Sequence, residues 1–283
     1  MKRMIIMHTL NRLIDLALEE DIGTGDITTE TLIPANAEGE AVVIAKEHLV
    51  LAGMPVAQAV FRRLDSDITF PEELSDGAAV TPGTRVLKIC GRLRPLLTGE
   101  RTALNFLQRL SGIATHVRRY VEAMPAASLR LVDTRKTTPG WRTLEKYAVR
   151  IGGAANHRMS LSDGILIKDN HVAICGGIRA ALEKARRAAP HTLKLEIEVS
   201  TPAEAREAAD GGADIIMLDN MGPATIREAV RLIDGRALVE VSGGVNRSNL
   251  AELSASGVDI VSVGALTHSA VAVDISMQVK ITS

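Results

Sequence analysis

Strand and helix signals alternate through the second half of the chain, and few folds accommodate such a pattern. Apolar, strand-like segments lie near residues 129–133, 165–168, 193–199, 214–218, 237–241 and 259–263. Segments with apolar residues at helical spacing separate them, at 144–149, 178–188, 203–209, 224–233 and 249–255. Repetition of this kind produces a parallel sheet. Because the run is long and contains no G-x-G-x-x-G fingerprint, it favours an α/β barrel of six or seven strands over a doubly wound sheet.

The first half of the chain carries mixed signals and predicts a smaller α+β domain. Residues 8–20 have apolar positions at helical spacing, and residues 41–45 form a strand candidate. A second helix is predicted over residues 53–64, followed by turns and short strands. A long helix is predicted to begin at Thr98, which would place Arg101 in its first turn. Since the helix dipole disfavours a cation there, we expect Arg101 to face an anion.

Composition narrows the partners of such a protein. Lysine and arginine total 33 against 34 acidic residues, and the net charge of −1 offers no general attraction for nucleic acid or an anionic membrane. Aromatic residues make up only 2%, which disfavours a base-stacking surface. No apolar stretch reaches transmembrane length, and the distant Cys90 and Cys175 suggest neither a zinc site nor a disulfide. We therefore expect a soluble, cytoplasmic protein that binds neither nucleic acid nor membrane.

Polar residues stand where the predicted strands end, which is where α/β barrels carry their active sites. These residues are Thr134, Arg135 and Lys136, then Lys168, Glu198 and Asp219, then Ser242, Gly243 and Gly244, and finally Ser262, Val263 and Gly264. Glu196 and Glu198 share parity on one strand, so both should point into the barrel, with Glu198 nearer the mouth. We expect the strand-end residues to meet at a single rim.

Two carboxylates at neighbouring strand ends suggest a metal. Glu198 and Asp219 would suit Mg²⁺ held largely through substrate oxygens and water, because Mg²⁺ prefers oxygen ligands and keeps part of its hydration. For each acid taken alone, a solvated loop carboxylate or an ion-pair partner is an equally good interpretation.

The cations are the stronger signal. Clustered Arg135, Lys136, His157, Arg158 and Lys168 would repel one another by roughly 4 kcal/mol for each close pair at intermediate dielectric, so an anion should lie among them. A mixture of arginine and lysine suits a planar dicarboxylate together with phosphates. Scattered surface charge is the competing interpretation.

Glycines follow the last two strands, at positions 243–244 and 264, and would let backbone N–H groups approach a phosphate closely. Loops after the late strands are the usual phosphate site of this architecture, although a plain turn also explains one such loop. His171 and His268 lack comparable support, and we predict that both are structural or act only through other residues.

Long motifs in the chain resemble those of the quinolinate phosphoribosyltransferases, also called carboxylating nicotinate-nucleotide pyrophosphorylases. The motifs are Glu20–Thr29, Glu100–Thr115, Asp133–Gly140, Asn156–Arg158, Leu166–His171, Leu218–Asn220, Ser242–Gly244 and Val263–His268. The resemblance covers nearly the whole chain. It implies an N-terminal α/β sandwich domain (residues 1–112) and an incomplete, seven-stranded α/β barrel (residues 113–269), with the tail 270–283 packing on the first domain.

The resemblance also implies a reaction and a site. Quinolinate and 5-phosphoribosyl 1-pyrophosphate would give nicotinate mononucleotide, CO₂ and pyrophosphate, with Mg²⁺ as the only cofactor. The quinolinate pocket would be lined by Arg135, His157, Arg158 and Lys168. Arg101 would reach into it from the partner subunit of a homodimer, and such dimers could assemble into a larger oligomer. The sugar diphosphate would be held by Lys136, Glu198 and Asp219, and its 5′-phosphate would be bound by the backbone near Gly244 and Gly264. The catalytic residues would be Lys136, Lys168, Glu198 and Asp219.

Departures from the family pattern are few: Trp141, Ala154 and Ser160 replace residues that the family commonly has. They bear on loop shape rather than on the charged set. Two other functions stay open. One is an anion-binding accessory protein like the molybdate-uptake paralogue on the same fold, although the stretch Leu166–His171, where that paralogue departs, is intact here. The other is a Schiff-base aldolase using Lys168 or Lys136.

Overall fold

The computed structural model describes residues 2–124 and 129–281, and residues 2–9 by their backbone alone. Residues 1, 125–128, 282 and 283, including the two last residues of the predicted tail, lie outside the description. The chain forms two compact units. The first comprises Met1–His116, Thr138–Gly152 and Ala270–Ser283, and the second Val117–Thr137 and Gly153–Ser269. Across the described ranges, no helix combines the length and hydropathy that a membrane span requires.

Helices and strands alternate along most of the chain. The helices are α1 (Lys2–Ile22), α2 (Ile27–Leu32), α3 (Met54–Leu64), α4 (Leu93–Glu122), α5 (Arg142–Gly152), α6 (Asp169–Cys175), α7 (Ile178–Ala188), α8 (Pro202–Asp210), α9 (Pro223–Ile233), α10 (Leu250–Ala255) and α11 (Ala265–His268). The strands are β1 (Glu38–Ala45), β2 (Leu49–Val50), β3 (Thr69–Glu73), β4 (Ala79–Val80), β5 (Arg85–Arg92), β6 (Arg130–Val132), β7 (Ile165–Ile167), β8 (Leu195–Val199), β9 (Ile215–Asp219), β10 (Leu238–Ser242), β11 (Ile260–Ser262) and β12 (Ile275–Ile281).

An antiparallel sheet organises the first unit, in the order β12-β1-β5-β3. Buried and partly exposed residues alternate along β1, as expected of a strand with one face on a core. The strand β12, which comes from the chain's C-terminal end, pairs with β1 over seven residues. Trp141, one of the departures from the family pattern, stacks on Phe106 in this unit with ring centroids 4.8 Å apart.

The prediction for the start of α4 is wrong. The helix begins at Leu93, with Pro95 in its first turn, where a missing N–H does little harm. Gly99 lies inside the helix, where an added Cβ would come within 2.9 Å of Leu64 and 3.1 Å of Phe61, so this position has no room for a side chain. Arg101 is consequently well inside α4, where the helix dipole does not disfavour a cation.

A parallel sheet organises the second unit, in the order β6-β11-β10-β9-β8-β7. This confirms the α/β class, and the six predicted strands lie within two residues of their observed ends. Beyond β6, Ala155 forms a single parallel bridge with Val132, so the seventh strand is reduced to one bridge. Helices α7 to α10 follow the strands with apolar faces, such as Ile226, Ala229 and Ile233 of α9, buried.

The parallel sheet curls upon itself. His157 follows the bridge at one edge, yet its ring contacts Glu196 on β8 and Glu240 on β10. Such contacts require the inner face of the sheet to enclose a common interior. The remaining residues of these strands are mainly leucine, isoleucine and valine. The strand β8 is buried over nearly its whole length, as in parallel sheets that are covered on both faces.

Candidate active site

A cavity of about 710 Å³ opens at the carboxyl ends of the strands in the second unit. Parallel strands end on the same side of a barrel, so the residues that follow them converge there. Every predicted site residue except Arg101 lines the cavity: Thr134, Arg135, Lys136, His157, Arg158, Lys168, Glu198, Asp219, Ser242, Gly243, Gly244, Ser262, Val263 and Gly264. Arg101 lies on α4 in the first unit with an exposed side chain, and its role stays a prediction.

Two arginines approach each other at the cavity. Burial lowers the pKa of the Arg158 guanidinium, repulsion from Arg135 lowers it further, and the nearby carboxylate of Glu196 opposes the shift. Arg158 also donates from Nη1 to the carbonyl oxygen of Gly164 at 3.1 Å. Because like charges are held together here, a bound anion would relieve their repulsion.

The acidic side of the cavity is formed by neighbouring strands. Glu198, at the end of β8, accepts a hydrogen bond from Nζ of Lys168 at 2.7 Å. Asp219, at the end of β9, accepts one from the side-chain amide of Asn220 at 2.8 Å. Both carboxylates therefore face the same cavity, each oriented by a neighbour on the rim. Two oxygen donors of this kind fit Mg²⁺, which takes oxygen ligands and retains water.

The loop after β10 has a backbone that only glycine adopts easily. Gly243 and Gly244 have φ angles of +85° and +65°. A Cβ on Gly243 would lie 2.6 Å from Cγ of Asn220 and closer still to its Oδ1. Asn220 itself has a φ of +53°, and its backbone N–H donates to the carbonyl oxygen of Ser242 at 3.0 Å. The ends of β9 and β10 are thus joined through Asn220.

The loop after β11 approaches Lys136, which follows β6. A Cβ on Gly264 would lie 2.9 Å from Cδ of Lys136. Ser262, at the end of the same strand, has a buried hydroxyl for which the described residues provide no hydrogen-bond partner. Buried hydroxyls are normally hydrogen-bonded, so this hydroxyl has an unused donor at the end of β11.

A buried network lies beneath the cavity. Asp133 accepts hydrogen bonds from the backbone N–H of His157 at 2.8 Å and from the side chain of Asn156 at 2.6 Å. The Nε2 atom of His157 is 3.2 Å from Glu196 and 3.5 Å from Glu240. Burial lowers the pKa of His157, but hydrogen bonds and charge from the two glutamates raise it to about 10. Burial raises the pKa of Glu196, which the hydrogen bond from His157 opposes.

His157, Glu196 and Glu240 have their ligand atoms within 4.8 Å of one another, a spacing that could hold a metal ion. The hydrogen bonds of the ring oppose this. The Nδ1 atom of His157 accepts the backbone N–H of Arg158 at 2.8 Å, which requires the neutral ring with its proton on Nε2. A metal-binding histidine has the reverse arrangement, since its second nitrogen donates to an acceptor. The trio is a hydrogen-bonding network, in which the carboxylates favour the charged ring and the Arg158 amide the neutral one.

Sequence reasoning missed several residues of the cavity. Leu166, Met217 and Glu240 line it from β7, β9 and β10, each two residues before a predicted site residue. His268, which we predicted to be structural or indirect, also lines the cavity. It follows Gly264 by one turn of α11, a spacing that could have placed it beside that loop. His171, by contrast, accepts the backbone N–H of Lys168 and caps α6.

The fold and the cavity together define an α/β-barrel protein with a cavity at its strand ends that several cationic side chains line. Comparison with known proteins gives the family. The family model described as the C-terminal domain of quinolinate phosphoribosyl transferase matches residues 113–278, and that of its N-terminal domain matches residues 26–111. The chain belongs to the quinolinate phosphoribosyl transferase family.

Individual relatives match along most of their length. The chain is 42% identical to the "probable nicotinate-nucleotide pyrophosphorylase [carboxylating]" of Bacillus subtilis, covering 97% of this chain and 94% of the relative. It is 45% identical to the protein of the same name in Synechocystis, covering 93% and 90%. A crystal structure of NadC from Streptococcus pyogenes superposes with a TM-score of 0.93 at 44% identity, covering 97% of each chain.

Proposed function

We propose that this chain is a carboxylating nicotinate-nucleotide pyrophosphorylase. It joins quinolinate to 5-phosphoribosyl 1-pyrophosphate and releases CO₂ and pyrophosphate, giving nicotinate mononucleotide for de novo NAD biosynthesis. The observation that carries this proposal is the meeting of paired arginines, two lysines, two carboxylates and two glycine loops in one cavity of a chain that belongs to this family.

The arginine side of the cavity would bind quinolinate. Arg135 and Arg158 can pair with the two carboxylates of a planar ligand, with His157 and Lys168 completing the positive surface. The apolar side chains of Leu166 and Met217 lie in the same cavity and suit the face of a pyridine ring. Arg101 would be supplied by the partner subunit of a homodimer, which is supported by its exposure on α4.

The opposite side would bind the sugar diphosphate. Lys136, Glu198 and Asp219 would hold the diphosphate with Mg²⁺, and the amides near Gly244 and Gly264 would receive the 5′-phosphate, as the positive φ of Gly244 permits. When bound, Mg²⁺ supplies positive charge to the diphosphate oxygens. Ser262, whose hydroxyl has no hydrogen-bond partner in the described part of the chain, lines the cavity on this side.

The residues of the chain would act mainly by orientation and charge. Holding the pyridine nitrogen in line with C1 of the sugar lets the diphosphate leave as positive charge develops at C1, and Lys136 stabilises the departing charge. Once the ring nitrogen is glycosylated, the bond from C2 to its carboxylate breaks. The electron pair stays on C2, where the pyridinium stabilises it until a proton from solvent replaces the CO₂.

The cytoplasmic location is also a proposal, supported by the two cysteines, which are both free thiols. The Schiff-base alternative has less support, because Lys168 is ion-paired with Glu198 at 2.7 Å and such a reaction requires a free amine.

Product analysis tests the proposed function. Purified protein, quinolinate, 5-phosphoribosyl 1-pyrophosphate and Mg²⁺ should yield nicotinate mononucleotide and CO₂, and chelation by EDTA should stop both. Asp219→Ala and Arg158→Ala should each lose most activity, whereas Asp210→Ala, at an exposed acid of α8, should keep it. Binding of quinolinate without turnover would instead favour the accessory-protein function, and borohydride trapping of a carbonyl substrate would favour the aldolase.

A further inference from the structure

Three buried carboxylates lie under the anion-binding cavity without a role in the proposed reaction. Asp133, Glu196 and Glu240 are 0%, 5% and 1% exposed. A buried charge is costly unless it is paired and hydrogen-bonded. Asp133 meets this condition through Asn156 and the backbone of His157, and Glu196 accepts from the ring of His157. Glu240 meets it only in part, through Oε2.

Glu240 is the least satisfied of the three. Its Oε2 is 3.5 Å from Nε2 of His157, and its Oε1 is buried with no hydrogen-bond partner among the described residues. A neutral side chain of the same size would avoid the burial of a poorly paired charge. Stability of the fold therefore gives little reason for a glutamate here, and the position of Glu240 in the wall of the cavity points to a role at the site.

We propose that Glu240 is a positioning residue of the quinolinate pocket, which fixes the ring of His157 from below and, through that ring, the backbone of Arg158. The proposal rests on the proposed function, because it concerns the pocket assigned to quinolinate. Glu240 and Glu196 receive the Nε2 proton from β10 and β8, while Nδ1 receives the N–H of Arg158. Both nitrogens are then held, and the ring cannot rotate without breaking a contact.

Charge supports the same role. Arg135 and Arg158 repel each other when no anion is bound, and the carboxylate of Glu196, which contacts the His157 ring together with Glu240, offsets that repulsion. The arginine of the pocket is thus held in place before the substrate arrives, and a preorganised site binds more tightly because less ordering remains to be done. A second cavity, of about 400 Å³, is also lined by His157, Arg158, Glu196 and Glu240.

Glu240→Gln tests the proposal because it removes the charge and keeps the shape. We expect the KM for quinolinate to rise about ten-fold, as for loss of a charged hydrogen bond. The KM for 5-phosphoribosyl 1-pyrophosphate should change by less than about two-fold, because the Glu240 side chain contacts His157, whereas the 5′-phosphate is assigned to backbone amides of the loop after β10. The midpoint of thermal unfolding should stay the same or rise. Glu252→Gln on α10, at a carboxylate that is 54% exposed, is the matched control and should change none of these values.

Glu240→Asp provides a second variant, which keeps the charge but draws it away from His157; its KM for quinolinate should lie between those of the wild type and Glu240→Gln. Equal KM values for quinolinate in wild type and Glu240→Gln would overturn the proposal. A lower unfolding midpoint with both KM values and kcat impaired together would also overturn it, because Glu240 would then be structural. If the wild-type protein makes no nicotinate mononucleotide, the proposed function fails; direct calorimetric titration of quinolinate into both proteins still tests the role of Glu240.

Discussion

Gly243→Ala should damage the site by a mechanism that the structure specifies. Gly243 has a φ of +85°, and its missing Cβ is the space occupied by the side chain of Asn220. An added methyl group would lie 2.6 Å from Cγ of Asn220, so the amide must retreat by roughly 1 Å to reach ordinary van der Waals distance. That movement breaks the 2.8 Å hydrogen bond from Asn220 to Asp219.

Two terms set the size of the effect on stability. Placing alanine at positive φ costs about 1–2 kcal/mol. Losing the hydrogen bond to the Asp219 carboxylate adds about 1.5 kcal/mol, the lower end for a charged acceptor because the pair is open to solvent. Gly235 offers a control, since it has a φ of +69° and nothing within 4 Å of the added Cβ. Gly235→Ala should therefore lose only the first term.

Urea unfolding and steady-state kinetics check this reasoning together. Gly243→Ala should lose about twice the free energy of unfolding that Gly235→Ala loses. Its KM for 5-phosphoribosyl 1-pyrophosphate should rise at least about ten-fold, because a displacement of about 1 Å at a ligand-binding carboxylate has effects of that size or larger. If the two variants unfold alike and Gly243→Ala binds the sugar diphosphate normally, the contact between Gly243 and Asn220 does not position Asp219.

Three further outcomes follow from single contacts. Lys168→Gln should lower kcat/KM about a hundred-fold by removing a charge from the site, yet shift stability by less than about 1 kcal/mol because its ion pair with Glu198 is half exposed; kinetics and thermal unfolding measure the two effects. The hydrogen bond from Arg92 lowers the pKa of Asp65 below 3.8. The ionised Asp65 therefore contributes its full stabilisation above about pH 4 and loses it as the pH falls through the pKa of the folded protein. The difference in unfolding midpoint between wild type and Asp65→Asn should shrink below pH 4. Thr201→Ala removes the N-terminal capping box of α8 and should cost about 1 kcal/mol in urea unfolding without altering either KM.

Much of the second unit could be predicted because its signals are local. Each parallel strand is a short apolar run between amphipathic segments, and each ends at a polar residue that must lie on one rim. Arg135, Lys168 and Asp219 could thus be assigned to one site before any distance was known. Ala155 gave no such signal, because a strand reduced to one bridge has no apolar run.

The first unit was harder to predict because its signals depend on distant residues. The helix was predicted to begin at Thr98, but α4 begins at Leu93, and Gly99 packs inside it against Phe61 and Leu64 of α3. The strand β12 joins the first sheet from the far end of the chain, and its pairing with β1 has no local signature. Contacts of this kind override intrinsic propensity.

The cavity residues Leu166, Met217 and Glu240, which sequence reasoning missed, could have been found from the sequence by one rule. Side chains alternate along a strand, so the residue two positions before a rim residue points into the same interior. Applied to Glu198, the rule correctly placed Glu196 inside; applied to Lys168, Asp219 and Ser242, it would have placed Leu166, Met217 and Glu240 beneath them. The alternation of side chains along a strand does not reveal which residue each of them contacts across the barrel. Glu240 is informative only once His157, from a segment more than eighty residues earlier, is known to lie 3.5 Å away.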